Sequence, residues 1–317
     1  MTTMTRRGVL GLAAGAAGAA TVAAAPSLTR PRGAARRDVT TIVLVAGANG
    51  SAGGDAELTL RGHRTVGVEL PGHSPGSGQF RRSYQAPQNL AALSTEWSPM
   101  AGVTLDDYAE AAVAVVRRAA DLGPVVVWGG SMGGATVNRV ANEVPRLIER
   151  LIYSSAFCCT ALPTMADYLQ LPEAAESRIL ELGGAAVGDP AVIGATRTNF
   201  RTSDLKVLAK LKQVLCAGAT DAEFLTMLNG MHPDESLEVP MADARGHKDT
   251  WGSIPRTYIR HTRDQMIPLA LQDRMIADAD RLTPRNRFDV RSVATSHAAD
   301  AAGWRASIEI VDELSRR

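Results

Sequence analysis

Residues 125–134 read V-V-V-W-G-G-S-M-G-G, a stretch that admits few backbone arrangements. A short apolar run, Val125 to Trp128, stops at Gly129-Gly130-Ser131-Met132-Gly133, and apolar residues then recur at helical spacing as Val137, Val140, Ala141 and Val144. Strand, G-x-S-x-G and helix, in that order, make the pattern of a nucleophile elbow. The serine backbone is strained in such a turn and its neighbours crowd it, which is why glycines flank it. The turn lifts Ser131 above the end of a sheet, over a helix N-terminus that favours developing negative charge. Ser131 is the candidate nucleophile; the alternative is a tight strand–helix turn carrying a surface serine.

The rest of the chain supplies a frame for that turn. Strand runs are expected at residues 40–45, 64–70, 151–157, 256–261 and 288–293. Helices are expected at 53–60, behind the capping-box-like Thr104-Leu105-Asp106-Asp107 with its stripe Tyr108, Ala112, Val115 and Ala119, and at 304–314. Residues 74–103 carry Gly, Pro and Ser with little periodicity and read as a long loop. Strands alternating with helices predict an α/β fold with a doubly wound, mostly parallel sheet. Between residues 160 and 250 the pattern changes to short helices at 165–169, 172–182, 204–212 and 221–228, with no strand of note. The expected organisation is a core of residues 39–159 and 252–317 with a helical cap, 160–251, inserted into it.

A serine nucleophile needs a base, and the base needs a carboxylate to orient it. The expected chain order is Ser, then Asp or Glu, then His. Of His63, His73, His232, His247, His261 and His297, only the last two follow the cap near strand ends. His297, just past the last strand, is the candidate base. His261, at the end of its own strand, fits packing or surface. Asp264 ends the preceding strand region and is the candidate acid, with a turn or helix-cap aspartate as the alternative. Asp234 and Glu235 in the cap are the alternatives for the acid, though they are read as solvated. The oxyanion hole needs two backbone N–H groups. Met132, next to the nucleophile, is expected to give one; Ala48 in Gly47-Ala48-Asn49-Gly50 is the first choice for the other and Asn49 the second. A phosphate-cradling role for that glycine-rich loop fails because no Lys-Ser/Thr follows it.

Composition narrows the function. The 317 residues carry a net charge of +1, which gives no footprint for nucleic acid. Three cysteines, Cys158, Cys159 and Cys216, have no metal-ligand spacing and form no disulfide framework, though a bridge to Cys216 stays open. No metal or organic cofactor is expected. Thr5-Arg6-Arg7-Gly8-Val9-Leu10 resembles the twin-arginine export motif, and the Ala/Gly-rich stretch behind it is only weakly apolar. Residues 1–24 are therefore expected to be a removable leader rather than a stable membrane anchor, residues 25–38 a basic linker, and the protein a secreted one.

The markers V-L-V-A-G-A-N-G (43–50), G-H-R-T-V-G-V-E-L-P-G-H-S (62–74), V-T-L-D-D-Y (103–108), G-G-S-M-G-G (129–134), R-T-Y-I-R-H-T-R-D-Q-M-I-P (256–268) and T-S-H (295–297) together resemble the α/β-hydrolase superfamily, in its small esterase and hydroxynitrile-lyase-like branch with a helical cap. The resemblance covers about residues 40–317 and implies the triad Ser131, Asp264 and His297. Two positions depart from it: Ala46 stands where the family commonly has His before Gly47, and Gly130 replaces the His of G-H-S-M-G. Both flank the elbow, so a reshaped oxyanion loop is expected. The implied activity is a secreted serine hydrolase acting on carboxylic esters, lactones or thioesters. The alternatives are a lyase or cyclase that uses the triad without an acyl-enzyme, or a ligand-binding member of the fold. Hydroxynitrile lyases typically place a lysine in the cap, and none of Lys206, Lys210, Lys212 and Lys248 has a context that marks it. Apolar cap residues Leu162, Met165, Leu169, Phe224, Met227, Leu228 and Met231 are read mainly as packing.

Overall fold

The computed structural model describes residues 39–73 and 81–316. The expected leader and linker, 1–24 and 25–38, lie outside the described residues. Eight strands occur among those described: β1 Thr41–Val45, β2 Arg64–Gly67, β3 Val125–Ser131, β4 Arg150–Ala156, β5 Thr196–Arg197, β6 Asp234–Glu235, β7 Arg256–His261 and β8 Asp289–Val293. Six form one sheet in the order β2-β1-β3-β4-β7-β8, and every pairing in it is parallel. This is the expected doubly wound α/β sheet. The chain reverses direction across the sheet between β1 and β3, and open α/β sheets bind ligands beyond the strand ends at such a switch.

The central strands are apolar without a break because both faces are covered. Val43, Val45, Val125, Val127, Leu151 and Tyr153 enter the larger core, with the helices Leu105–Ala120 and Gly133–Glu143 packed there. Ile42, Leu44, Val126, Trp128 and Ile152 point the other way, onto Leu58, Ile308 and Val311. Helix Leu105–Ala120 starts at the expected box: Thr104 Oγ1 accepts the Asp107 N–H, and the Asp107 carboxylate accepts that of Thr104. Tyr108, Ala112 and Ala119 of its stripe are buried, and Val115 is half-buried.

Between β4 and β7 the chain forms short helices Met165–Leu169, Pro190–Ile193, Leu205–Cys216 and Asp221–Gly230. The expected helix over 172–182 is replaced by two 3-10 pieces, the three-residue Pro172–Ala174 and the seven-residue Ile179–Ala185. Tertiary bonds win there. Ser177 Oγ donates to the Met266 carbonyl at 2.6 Å, and Arg178 N–H to that of Gln265 at 2.8 Å, which pulls the segment onto the turn after β7. A two-residue antiparallel ribbon, β5 with β6, also runs through this region, where no strand was expected. Leu162, Leu169, Met227 and Met231 pack half-buried against the core that Met165, Phe224 and Leu228 join.

One long helix, Leu269–Leu282, has no counterpart in the sequence expectations. Its buried Leu271, Met275, Ile276 and Ala279 recur at helical spacing behind Pro268, which is a readable signal.

Close approach explains most of the elbow glycines. A Cβ on Gly129 would lie 2.6 Å from Val137 Cγ2, one on Gly133 2.5 Å from the Ala46 carbonyl oxygen, and one on Gly134 inside the Phe157 carbonyl oxygen. Gly130 differs, since its Cβ would meet only the Ser154 oxygen at 3.6 Å. Gly134→Ala should therefore destabilise the fold by about 3 kcal/mol, and Gly130→Ala by no more than about 1 kcal/mol. Urea midpoints of the two variants would check this, and equal midpoints would refute it.

Candidate active site

Ser131 ends β3 with φ at +52°, a left-handed backbone that non-glycine residues rarely hold. The β3–β4 register slips between Gly130 and Ser131, and the Phe157 N–H donates to the Ser131 carbonyl at 3.0 Å. The helix Gly133–Glu143 begins at once, with Met132 capping it. Opposite, a Cβ on Gly47 would come within 2.7 Å of Ser131 Cβ, so the loop after β1 touches Ser131 only because residue 47 has no side chain.

His297 lies in the loop after β8, and Asp264 in the turn after β7. The Ser131 hydroxyl is 2.9 Å from His297 Nε2, and His297 Nδ1 is 2.6 Å from Asp264 Oδ2. An ionised carboxylate can only accept, so Nδ1 carries the proton and Nε2 faces the serine as an acceptor. Asp264 is buried yet well supplied with donors. Oδ1 accepts the N–H groups of Met266 at 2.6 Å and Ile267 at 2.9 Å; Oδ2 accepts from His297 and from the Ser155 hydroxyl. Burial pushes its pKa up. Electrostatic attraction to His297 and the hydrogen bonds from His297, Ser155 and Ile267 outweigh burial and hold the carboxyl below its usual range. Ser155, itself at φ +40°, was not a sequence candidate. Its signal is a polar residue at the C-terminal end of a buried strand, beside the strand that carries Ser131.

His261 is buried, as a packing role requires, and supports the loop above it. Its Nδ1–H donates to the carbonyls of Ser296 at 2.9 Å and His297 at 3.1 Å. Its Nε2 is buried without a partner among the described residues. Burial holds its pKa below the ordinary 6.5, against the pull of Asp264. The unfolded chain therefore binds a proton below about pH 6.5 that the folded chain refuses. Stability present above that pH is lost as the pH falls through it, by at most about 1.4 kcal/mol per unit for one such group. His232, also depressed by burial, adds in the same direction. The Tm should fall between pH 7 and 5, and less steeply in His261→Asn, which keeps a donor. Equal slopes would refute the assignment.

The loop after β1 separates the two oxyanion candidates. Among the described residues nothing accepts the Ala48 or Met132 amide hydrogen. The Asn49 amide differs, since it already donates to Glu235 Oε2 at 2.6 Å.

That contact also corrects the reading of Asp234 and Glu235 as solvated, since they are 2% and 4% exposed. Asp234 grips Arg197 through two bonds, Nε–Oδ1 at 2.6 Å and Nη2–Oδ2 at 2.8 Å. Its Oδ2 also meets Arg81 at 2.8 Å and Ser98 Oγ at 2.6 Å. Glu235 accepts from the Tyr108 hydroxyl at 2.9 Å, and its Oε2 lies 3.3 Å from His73 Nε2. The His73 and His232 rings stack at 5.0 Å between centroids.

Other candidates lie elsewhere. All three cysteines are free and buried; burial pushes the Cys158 thiol up to about 12 and that of Cys216 to about 11. Lys206, Lys210 and Lys248 are exposed, and Lys212 pairs with Asp221 at 2.6 Å. Among the described residues no group of three His, Cys, Asp or Glu could hold a metal ion, and no helix is long and apolar enough to cross a membrane.

Comparison with known proteins agrees with this architecture. Residues 42–303 match the model of the alpha/beta hydrolase family. A pyrethroid hydrolase of Sphingobium wenxiniae is 26% identical over 250 residues, covering 75% of either chain. A crystal structure of a pyrethroid hydrolase superposes with a TM-score of 0.62 at 21% identity, over 87% of this chain and 98% of that one. Polyneuridine aldehyde esterase does so with 0.57 at 17%, over 87% and 98%. At these identities the two structures bear on the fold.

Proposed function

The chain belongs to the alpha/beta hydrolase family, and from that premise we propose that it is a serine esterase, hydrolysing carboxylic esters, or lactones or thioesters, through an acyl-enzyme. The observation that carries the reading is the relay from Ser131 Oγ through His297 to Asp264, at 2.9 and 2.6 Å. Ser131 Oγ attacks the acyl carbonyl as His297 Nε2 takes its proton. Asp264 stays ionised, fixes the imidazole and stabilises the imidazolium. The N–H groups of Met132 and Ala48 receive the oxyanion. His297 then protonates the departing alcohol, activates a water against the acyl-enzyme, and returns the proton to Ser131 as the acid leaves. The scheme uses no metal or organic cofactor.

Similarity to a relative named for pyrethroid hydrolysis supports an ester as substrate, with a short to medium acyl chain as the default. Export by the twin-arginine route belongs to the same reading and rests on Arg6 and Arg7. Arg6→Lys combined with Arg7→Lys should hold the protein in the cytoplasm, which fractionation and immunoblotting would check.

The testing experiment is hydrolysis of p-nitrophenyl butyrate and of a pyrethroid ester by the purified protein, with fluorophosphonate labelling located by peptide mass spectrometry. Turnover with label on Ser131 supports the proposal. Folded protein that neither turns over an ester nor takes the label would sink it.

A further inference from the structure

Asn49 stands at φ +58°, a left-handed backbone that a non-glycine residue keeps only where its surroundings over-determine it. Those surroundings come from the segment 232–235. The Asn49 N–H donates to Glu235 Oε2 at 2.6 Å, its carbonyl accepts the His232 N–H at 2.7 Å, and its Nδ2 donates to the His232 carbonyl at 3.0 Å. The Gly50 N–H to Gly47 carbonyl bond at 3.2 Å closes the loop on itself, and Gly47 abuts Ser131. With one end of Ala48 held against the nucleophile and the peptide after it held by a carboxylate, little freedom is left for the direction of the Ala48 N–H.

We propose that Glu235 is a positioning residue for the oxyanion hole: its carboxylate, delivered from the insertion by β6, clamps the Ala48–Asn49 peptide and so aims the Ala48 N–H at the developing oxyanion. This rests on reading Ser131 as the nucleophile. A buried carboxylate is expensive unless its oxygens are filled. Glu235 fills Oε1 with the Tyr108 hydroxyl and the Ser236 N–H, both at 2.9 Å, and gives Oε2 to the loop, beside His73. A charged acceptor makes the shorter and stronger bond a flexible loop requires. Glutamine cannot reproduce this, because its single carbonyl oxygen serves either Asn49 or the Tyr108 side, never both.

The test compares Glu235→Gln and Tyr108→Phe with the parent protein, normalising kcat to active sites titrated with fluorophosphonate. One oxyanion donor is worth about 10²–10³ in kcat. Glu235→Gln should lose about 10²-fold in kcat, with KM moved less than about 3-fold, because the donor acts only in the transition state. Tyr108→Phe, which leaves the Asn49 bond in place, should stay within about 3-fold of the parent. Removing a negative charge near a developing oxyanion would by itself help the reaction, so a fall must come through the loop. Hydrogen exchange provides a readout independent of turnover. The Asn49 amide should be protected in the parent protein and exchange at least about tenfold faster in Glu235→Gln. Parent-like kcat in Glu235→Gln, or a lost kcat with unchanged exchange at residues 48–50, would overturn the proposal. So would an unprotected Asn49 amide in the parent, a result available even if the variant does not fold. An inactive parent whose Asn49 amide responds as expected would overturn the esterase reading instead and leave the clamp standing.

Discussion

Ser131→Ala and His297→Ala should each lower kcat for an ester by about 10⁶-fold, and the double variant should fall no further. The reason lies in how the two side chains share one proton. Ser131 Oγ is a poor nucleophile until His297 Nε2, 2.9 Å away, accepts its hydrogen, and His297 has no other acceptor role at this site. Removing either partner removes the whole proton transfer, so the second removal costs nothing more. About 10³-fold catalysis over water should persist from binding and the Met132 and Ala48 amides. Asp264→Asn should cost less, about 10⁴-fold, because it leaves both reacting groups in place and upsets only the tautomer of His297. Steady-state kinetics with one ester measures all four proteins. Additive losses in the double variant would show that the two side chains do not act as a unit.

Asp234→Ala carries the largest expected stability effect. Its carboxylate meets two guanidinium groups, one fully buried on Arg197 and one nearly so on Arg81. Arg197 also donates through Nη1 to the carbonyls of Leu93 and Glu96, so the ion pair is the hub that ties 81–98 to the β5–β6 ribbon. Breaking a buried pair by removing one partner strands the other charge in a low dielectric and costs about 3–5 kcal/mol. The exposed Arg139–Asp106 pair should cost less than about 1 kcal/mol by the same substitution. Urea unfolding separates the two cases. A double change, Asp234→Leu with Arg197→Met, should recover part of the loss, since it removes the buried charges together; Arg81 would still lack its partner. Equal costs for Asp234→Ala and Asp106→Ala would refute the assignment.

The contrast between these two sites shows what the sequence discloses. The elbow, the strand runs and the candidate base are locally encoded: glycines around Ser131, apolar runs in β1, β3 and β4, and His297 just past β8. Asp264 follows from chain order. Asp234 and Glu235 are not legible in the same way. Within Pro233-Asp234-Glu235-Ser236 they have the composition of a solvated turn, and what buries them comes from Arg197, Ser98, Tyr108 and Asn49, at sequence separations of 37, 136, 127 and 186. Non-local charge pairing leaves no periodic trace. The segment 172–182 errs for a related reason: its helical composition yields to bonds with Gln265 and Met266 across the fold. The helix Leu269–Leu282 is a different case, since its apolar spacing was present in the sequence.

The bonds from Ser177 and Arg178 to the turn after β7 bear on how such enzymes diversify. The same segment between β4 and β7 grips the turn bearing Asp264 at one end and the loop after β1 at the other. It is therefore not an interchangeable part. A chimera carrying a relative's insertion on this sheet would have to import partners for the Gln265 and Met266 carbonyls and for the Asn49 amide together. Recombination that delivered only one set would leave half of the candidate site without its buttress. Point substitutions within this segment should thus be tolerated by the fold more readily than its wholesale exchange.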